Sequence, residues 1–234
     1  MGQPVILYGA SGYARDWHYA LVRQAEPADV VAFIDDFRGD RGESLDGIPV
    51  LSLEEARRLY PSVPFAITVA DPSARRHLAS KVNRGGGRFR SFYEVGDWIS
   101  PSVTVGQGTL IAQSPTYIGS GTKIGHHSMI MVFCTIGHDC VIGDYVTVCP
   151  SVNISGYVVV EDDVFIGVSA TIVNGAADEP LRIGRGAVIF AGAVVMKPVP
   201  AGAKVAGNPA SDLRSVLAES RRDAHGRLCE RQSE

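Results

Sequence analysis

The residues best suited to chemistry stand side by side in the run Ile136-Gly137-His138-Asp139-Cys140. A neutral imidazole accepts a proton near neutral pH. A carboxylate on its other ring nitrogen holds the ring and steadies the imidazolium. His138 and Asp139 can therefore deprotonate an amine or hydroxyl as it attacks an acyl carbonyl. The tetrahedral oxyanion then needs a donor, and a backbone N–H such as that of Gly156 suits. Two other groups point to ligand binding. Gly9-Ala10-Ser11-Gly12 joins an apolar stretch to an amphipathic one, which puts backbone N–H groups at a helix N-terminus, where phosphate binds well. The full GxGxxG is absent, because Ser11 and Ala14 stand where glycines would. Asp35-Asp36 closes the second apolar stretch and can accept hydrogen bonds from ribose hydroxyls or a base edge.

These residues need a scaffold, and the sequence supplies a regular one. Ile118, Ile124, Ile130, Ile136, Ile142, Val148, Ile154, Val160, Ile166 and Ile172 fall six residues apart. A small or medium residue follows each at i+4, as with Thr122, Cys134, Val152 and Ala170. Residues two apart share one face of a strand, so the i+4 residue and the next branched residue both point inward. Such hexapeptides are the signature of a parallel β-helix, three of them closing a coil of 18 residues. The array begins near Ile99 and Val105, skips one residue between Ile111 and Ile118, breaks after Ile172 and resumes at Ile183. The break from Asn174 to Pro180 reads as an external loop. Counting in eighteens stacks Gly156 and then Asn174 over His138 and sets His126 on a different corner. Cys134 and Cys140 occupy inward positions and read as core, while His126 and His127 read as surface or interface residues.

The first ninety residues alternate β and α. Strands are expected over 4–8, 30–34 and 64–69, and helices after Gly12, over 53–59 and from an Asp71 cap through Lys81. This predicts a small Rossmann-like parallel sheet. The fold class is thus an α/β N-terminal domain, residues 1–96, followed by a β-helix over 97–212 and a charged tail over 213–234, read as a short helix. Charge is nearly balanced, with 22 Lys and Arg against 25 Asp and Glu, which gives no electrostatic support for a nucleic-acid partner. The basic cluster Arg84–Arg90 is interrupted by glycines and reads as a solvated loop. No apolar run has membrane-spanning length and no leader is evident, so a cytoplasmic protein is expected.

Gly9-Ala10-Ser11-Gly12, Asp35-Asp36, the hexapeptides, Ile136-Gly137-His138-Asp139-Cys140-Val141-Ile142-Gly143 and Ala206-Gly207-Asn208-Pro209-Ala210 together resemble the NeuD/PglD-type sugar acyltransferases. The resemblance runs from residue 4 to about 214 and implies a left-handed β-helix. It implies acetyl-CoA, or another acyl-CoA, as donor, no metal, and a homotrimer with active sites between subunits. His138 would be the general base and Asp139 its supporting acid. Gly156, Val168, Ala191 and Gly192 would line the CoA arm, and Gly9, Ser11, Gly12, Asp35 and Asp36 the nucleotide. At two acceptor positions the chain departs from the family: Tyr13 stands where His is usual, and Met131 stands where an Asn usually touches the sugar. The loop over 175–182 is also longer than usual.

The expected activity is transfer of an acetyl or other acyl group to the amine of an amino sugar, nucleotide-linked by default. O-acetylation of a sialic-acid-like hydroxyl is the sibling reading. A zinc enzyme of the γ-carbonic-anhydrase type would need about three converging His, and no His follows His138 at a five-residue interval. A non-catalytic ligand-sensing module is a third reading, against which the His138-Asp139 pair speaks.

Overall fold

The computed structural model describes residues 2–23, 27–93, 98–112, 115–212 and 214–215, so the helix expected in the tail falls almost wholly outside them. The N-terminal part is a five-stranded sheet flanked by helices. Its elements are β1 (Gln3–Tyr8), α1 (Gly12–Val22), β2 (Ala28–Ile34), β3 (Ser44–Leu45), β4 (Ile48–Leu51), α2 (Leu53–Leu59), β5 (Phe65–Ile67) and α3 (Pro72–Arg84). The strand order is β3-β4-β2-β1-β5, parallel apart from the β3–β4 pair. α1 buries Ala14, Trp17 and Leu21, the three-and-four spacing of one helix face. Ser52 caps α2 through the Glu55 N–H, and Asp71 caps α3 through the Ala74 N–H with Pro72 in the first turn.

Two features differ from the sequence reading. No strand is expected between Ile34 and Leu53, yet β3 and β4 form a hairpin there. Asp46 and Gly47 both take positive φ, as a two-residue hairpin turn needs. The Arg84–Arg90 stretch is less solvated than expected, because Phe89 is buried and bridges to Phe65.

The second part is a three-faced parallel β-helix. Ile118, Ile136, Ile154 and Ile172 pair in one row at steps of 18 residues. The skip appears as a step of 19, with Val105 beside Ile124 and Ile111 beside Ile130. The break appears as a step of 23, with Ile172 beside Val195 and Ile166 beside Ile189. The inward column is a dry stack in which Ile118, Ile136, Cys134, Val152 and Ala170 are fully buried. Each corner bends at i+3, where His127, Phe133, Asp139, Tyr145, Ser151, Tyr157, Asp163 and Ser169 all have φ between 53° and 61°. Gly121, Gly186 and Gly192 fill the same position at other corners, but these eight are not glycine, although a left-handed residue costs on the order of 1–2 kcal/mol without glycine's freedom. The ladders above and below each corner impose the conformation whatever the side chain.

The two parts join over one face of the prism. Leu110, Met129 and Thr147 point outward from that face and are buried under the sheet domain. Arg75 of α3 is 1% exposed and ties the junction. Its Nε donates to His127 O at 2.7 Å, Nη1 to Val69 O at 2.7 Å, and Nη2 to Tyr145 O and Thr147 Oγ1 at 2.9 Å each. Burial brings this guanidinium down to about 10, and it stays charged at neutral pH. Arg76 beside it forms a two-point ion pair with Asp163 at 2.8 Å.

Candidate active site

The repeat places His138 on one corner of the prism. Asp139 N–H donates to Ser120 O, Tyr157 N–H to His138 O and Gly175 N–H to Gly156 O, so Ser120, His138, Gly156 and Asn174 form one column. Neighbouring residues of an extended chain point to opposite sides. The left-handed φ of 54° at Asp139 breaks that rule and turns its carboxylate back to the ring before it. His138 Nδ1 and Asp139 Oδ2 are 2.9 Å apart. The Tyr157 ring meets the imidazole edge to face at 4.9 Å. Gly156 makes room above: a Cβ there would lie 2.8 Å from His138 Nε2 and 2.9 Å from Cε1. Nε2 therefore sits under a residue with no side chain, and the Gly156 N–H makes no backbone hydrogen bond among the described residues. Ala176 to Pro180 rise from this corner, between Gly175 N–H on Gly156 O and Leu181 N–H on Tyr157 O. These are the five residues that lengthen the coil from 18 to 23.

The residues singled out for acceptor and donor lie elsewhere in the same chain. Ser151 N–H donates to Val132 O, Ser169 N–H to Pro150 O and Gly192 N–H to Val168 O, which stacks Val132, Pro150, Val168 and Ala191 on the next corner. Gly192 has a φ of 69°, and Val168 is exposed. Met131 precedes Val132 and is buried against the sheet domain in one cluster with Trp17 and the partly buried Tyr13. So His138, Asp139 and Gly156 share one corner, and Met131, Val168, Ala191 and Gly192 share another. One copy of the chain does not bring the two sets together.

The Gly-rich turn lies where the strand order reverses. β1 has β2 on one side and β5 on the other, and ligands of such sheets bind at the carboxyl ends of strands at that point. Gly9 has a φ of 128° and no room for a Cβ, which would lie 2.7 Å from Thr68 Oγ1. Gly12 faces open space, and Ser11 begins α1 without a side-chain cap or an acid in the first turn. These N–H groups are free to meet an anion. Asp35 and Asp36 both have bonds already. Asp35 Oδ1 accepts from Phe37 N–H at 2.9 Å, and Asp36 Oδ2 accepts from Tyr8 Oη at 2.7 Å and from Lys81 Nζ. Burial would raise the Asp36 carboxyl, but the Lys81 and Tyr8 bonds outweigh it and hold it below the usual range.

His126 and His127 stand on the third corner. His126 Nδ1 accepts from Gln107 N–H at 3.0 Å. His127 is buried between Phe89 and Tyr145, and burial, with the charges of His126 and Arg75 nearby, lowers it to about 4. Both match the surface or interface reading, His127 as an interface residue between the two parts. Burial likewise pushes the Cys134 thiol up to about 11, as befits a core residue. Among the described residues no group of three or more His, Cys, Asp or Glu is placed to hold a metal ion. Sequence reasoning missed the roles of Trp17, Val132 and Pro150, which line a cavity with Tyr13 and Met131. The six-residue count already put Val132 and Pro150 on one corner; the meeting with α1 carried no sequence signal.

Comparison with known proteins agrees with this architecture. Residues 4–82 match the family described as PglD N-terminal domain, and residues 115–156 match bacterial transferase hexapeptide (six repeats). A GDP-perosamine N-acetyltransferase of Escherichia coli O157:H7 is 33% identical over 213 residues, spanning 89% of this chain and 95% of that one. The solved structure of WeeI from Acinetobacter baumannii AYE is 35% identical with a TM-score of 0.81, covering 90% of this chain and 100% of that one. The acetyltransferase domain of PglB from Neisseria gonorrhoeae FA1090, in complex with acetyl coenzyme A, shares the fold at 24% identity and a TM-score of 0.79, covering 91% and 100%. The chain belongs to the NeuD/PglD-type sugar acyltransferases, hexapeptide-repeat enzymes built from a Rossmann-like domain and a β-helix.

Proposed function

We propose that this protein transfers the acetyl group of acetyl-CoA to the amine of a nucleotide-linked amino sugar, by direct attack within a ternary complex. The observation that carries the mechanism is the His138 ring, held at Nδ1 by Asp139 with Nε2 open beneath Gly156. The amine nitrogen attacks the thioester carbonyl while Nε2 takes its proton. The Gly156 N–H donates to the oxyanion as it forms. Collapse expels the CoA thiolate, and the proton passes from the imidazolium to its sulfur. Similarity to a GDP-perosamine N-acetyltransferase supports an amine acceptor on a nucleoside diphosphate sugar. On this reading residues 1–96 hold the acceptor, with Gly9, Ser11, Gly12 and Asp35 at the nucleotide and Asp36 setting the shape of that edge. Residues 97–212 carry the chemistry.

The split of the site over two corners supports a homotrimer. Two different corners that must meet make a head-to-tail contact, and such contacts close into a ring when the rotation between copies closes, as the three-faced prism suits. The His138 corner of one copy would face the Met131–Val168–Ala191 corner of the next, with CoA in the seam along Val168, Ala191 and Gly192. Among the described residues no helix is long and apolar enough to cross a membrane. We infer a cytoplasmic site of action from the proposed acetyl-CoA donor and nucleotide-sugar acceptor. His138→Ala tests the assignment: kcat should fall by about 10²–10⁴-fold with acetyl-CoA binding kept. Near-normal kcat in a well-assembled variant would rule out the general base.

A further inference from the structure

Two side chains close on the imidazole of His138. Asp139 and Tyr157 occupy the same i+3 position, 18 residues apart, and both bend left-handed, with φ of 54° and 56°. That turn throws each side chain back toward the column where His138 stands. From its own coil, Asp139 Oδ2 reaches Nδ1 at 2.9 Å. From the next coil, the half-buried Tyr157 ring stands against the imidazole at 4.9 Å, with 89° between the two planes. The Tyr157 backbone is pinned on both sides: its N–H donates to His138 O and its carbonyl accepts from Leu181 N–H, each at 3.1 Å. The aromatic ring therefore projects from a fixed base.

The Asp139 contact alone holds the imidazole weakly. The His138 and Asp139 side chains are 54% and 50% exposed, and water competes with a pair so open. One hydrogen bond at Nδ1 also leaves the ring free to pivot about it, which carries Nε2 away from Gly156. An aromatic wall beside the ring closes that arc. Edge-to-face pairs favour the packed arrangement by about 2–10-fold. The corner itself gains nothing from the phenol, because Gly, Asn or Asp would take this left-handed backbone at lower cost.

We propose that Tyr157 is a positioning residue, whose ring stops the imidazole from turning and so keeps Nδ1 on Asp139 and Nε2 beneath Gly156. The proposal rests on the general-base reading above. Tyr157 acts through His138 and carries no proton itself.

The test compares Tyr157→Ala, Tyr157→Asn and Tyr157→Phe in the full chain. Asn tolerates left-handed φ, so that variant keeps the corner even where Ala weakens it. In Tyr157→Ala and Tyr157→Asn, kcat should fall by about 3–10-fold with KM for acetyl-CoA unchanged, while Tyr157→Phe, which keeps a ring, should stay within about twofold of wild type. Added to His138→Ala, Tyr157→Asn should lower the residual rate no further, because residues that act as a unit are not additive. Nitrogen NMR of the His138 ring, at a pH where it is neutral, needs no turnover. It should show the proton on Nδ1 in wild type and Tyr157→Phe, and signals averaged between the two tautomers in Tyr157→Asn. A kcat within about twofold of wild type in Tyr157→Asn, an equal loss in Tyr157→Phe, a further loss on top of His138→Ala, or ring signals that ignore Tyr157→Asn would overturn the proposal. A protein whose ring signals respond as expected but which transfers no acetyl group would keep this role for Tyr157 and lose the reaction.

Discussion

Gly156→Ala separates chemistry from folding. The new Cβ would lie 2.8 Å from His138 Nε2, 2.9 Å from Cε1 and 3.2 Å from Cδ2. Comfortable separations are about 3.5–4.0 Å, so the ring must retreat by nearly 1 Å or swing off Asp139. It can do so at little cost, because the His138 side chain is 54% exposed. The backbone at Gly156 is not left-handed, so alanine fits there without strain. Losing glycine's freedom in the unfolded chain favours the fold by about 0.4–1 kcal/mol. Stability should therefore hold or rise slightly. A displacement near 1 Å of a reacting group lowers rate by about 10²-fold. Steady-state kinetics with acetyl-CoA and an amino-sugar acceptor, run beside thermal denaturation, checks both halves. A kcat within about threefold of wild type would refute the role given to the His138–Gly156 contact. A large fall in melting temperature would show instead that Gly156 is needed for the coil.

Asp139→Asn should keep the fold, since Asn tolerates left-handed φ, and should lower kcat by about 10²–10⁴-fold by disturbing the His138 tautomer; a change under tenfold would count against that support. Arg75→Met leaves buried carbonyls at His127, Val69 and Tyr145 without their donor and should cost about 3–5 kcal/mol. Urea unfolding at fixed protein concentration measures it, and a loss under about 1 kcal/mol would contradict the junction described. His127 is lowered from 6.5 to about 4, so the fold prefers its neutral form while the unfolded chain takes up the proton. The stability it contributes is whole above 6.5 and drains as pH falls toward 4, by up to about 3 kcal/mol. His127→Phe should flatten that part of the stability curve, and an unchanged slope would refute the assignment.

Much of this was legible in the sequence because the repeat is a ruler. The count of eighteen put Gly156 over His138, the loop above both, and His126 on another corner, and the adjacency of Asp139 pointed to the ring contact. What stayed hidden depends on contacts between distant segments. Asp36 reads as a free ligand for ribose until Tyr8 and Lys81 are seen to hold it. Trp17 reads as ordinary helix core until α1 meets Met131 and Pro150. The β3–β4 hairpin escaped because its second strand is short and contains Pro49, although Asp46-Gly47 was the available sign.

In the proposed reaction His138 Nε2 takes the proton of an amine attacking acetyl-CoA. The most direct measurement is single-turnover acetyl transfer by wild type and His138→Ala, with acetyl-CoA and a nucleotide-linked amino sugar bound at saturation in both. The chemical step should be slower by about 10²–10⁴-fold in the variant, with no acetyl group left on the protein. Equal single-turnover rates, or an acetylated protein that forms and decays during turnover, would contradict it.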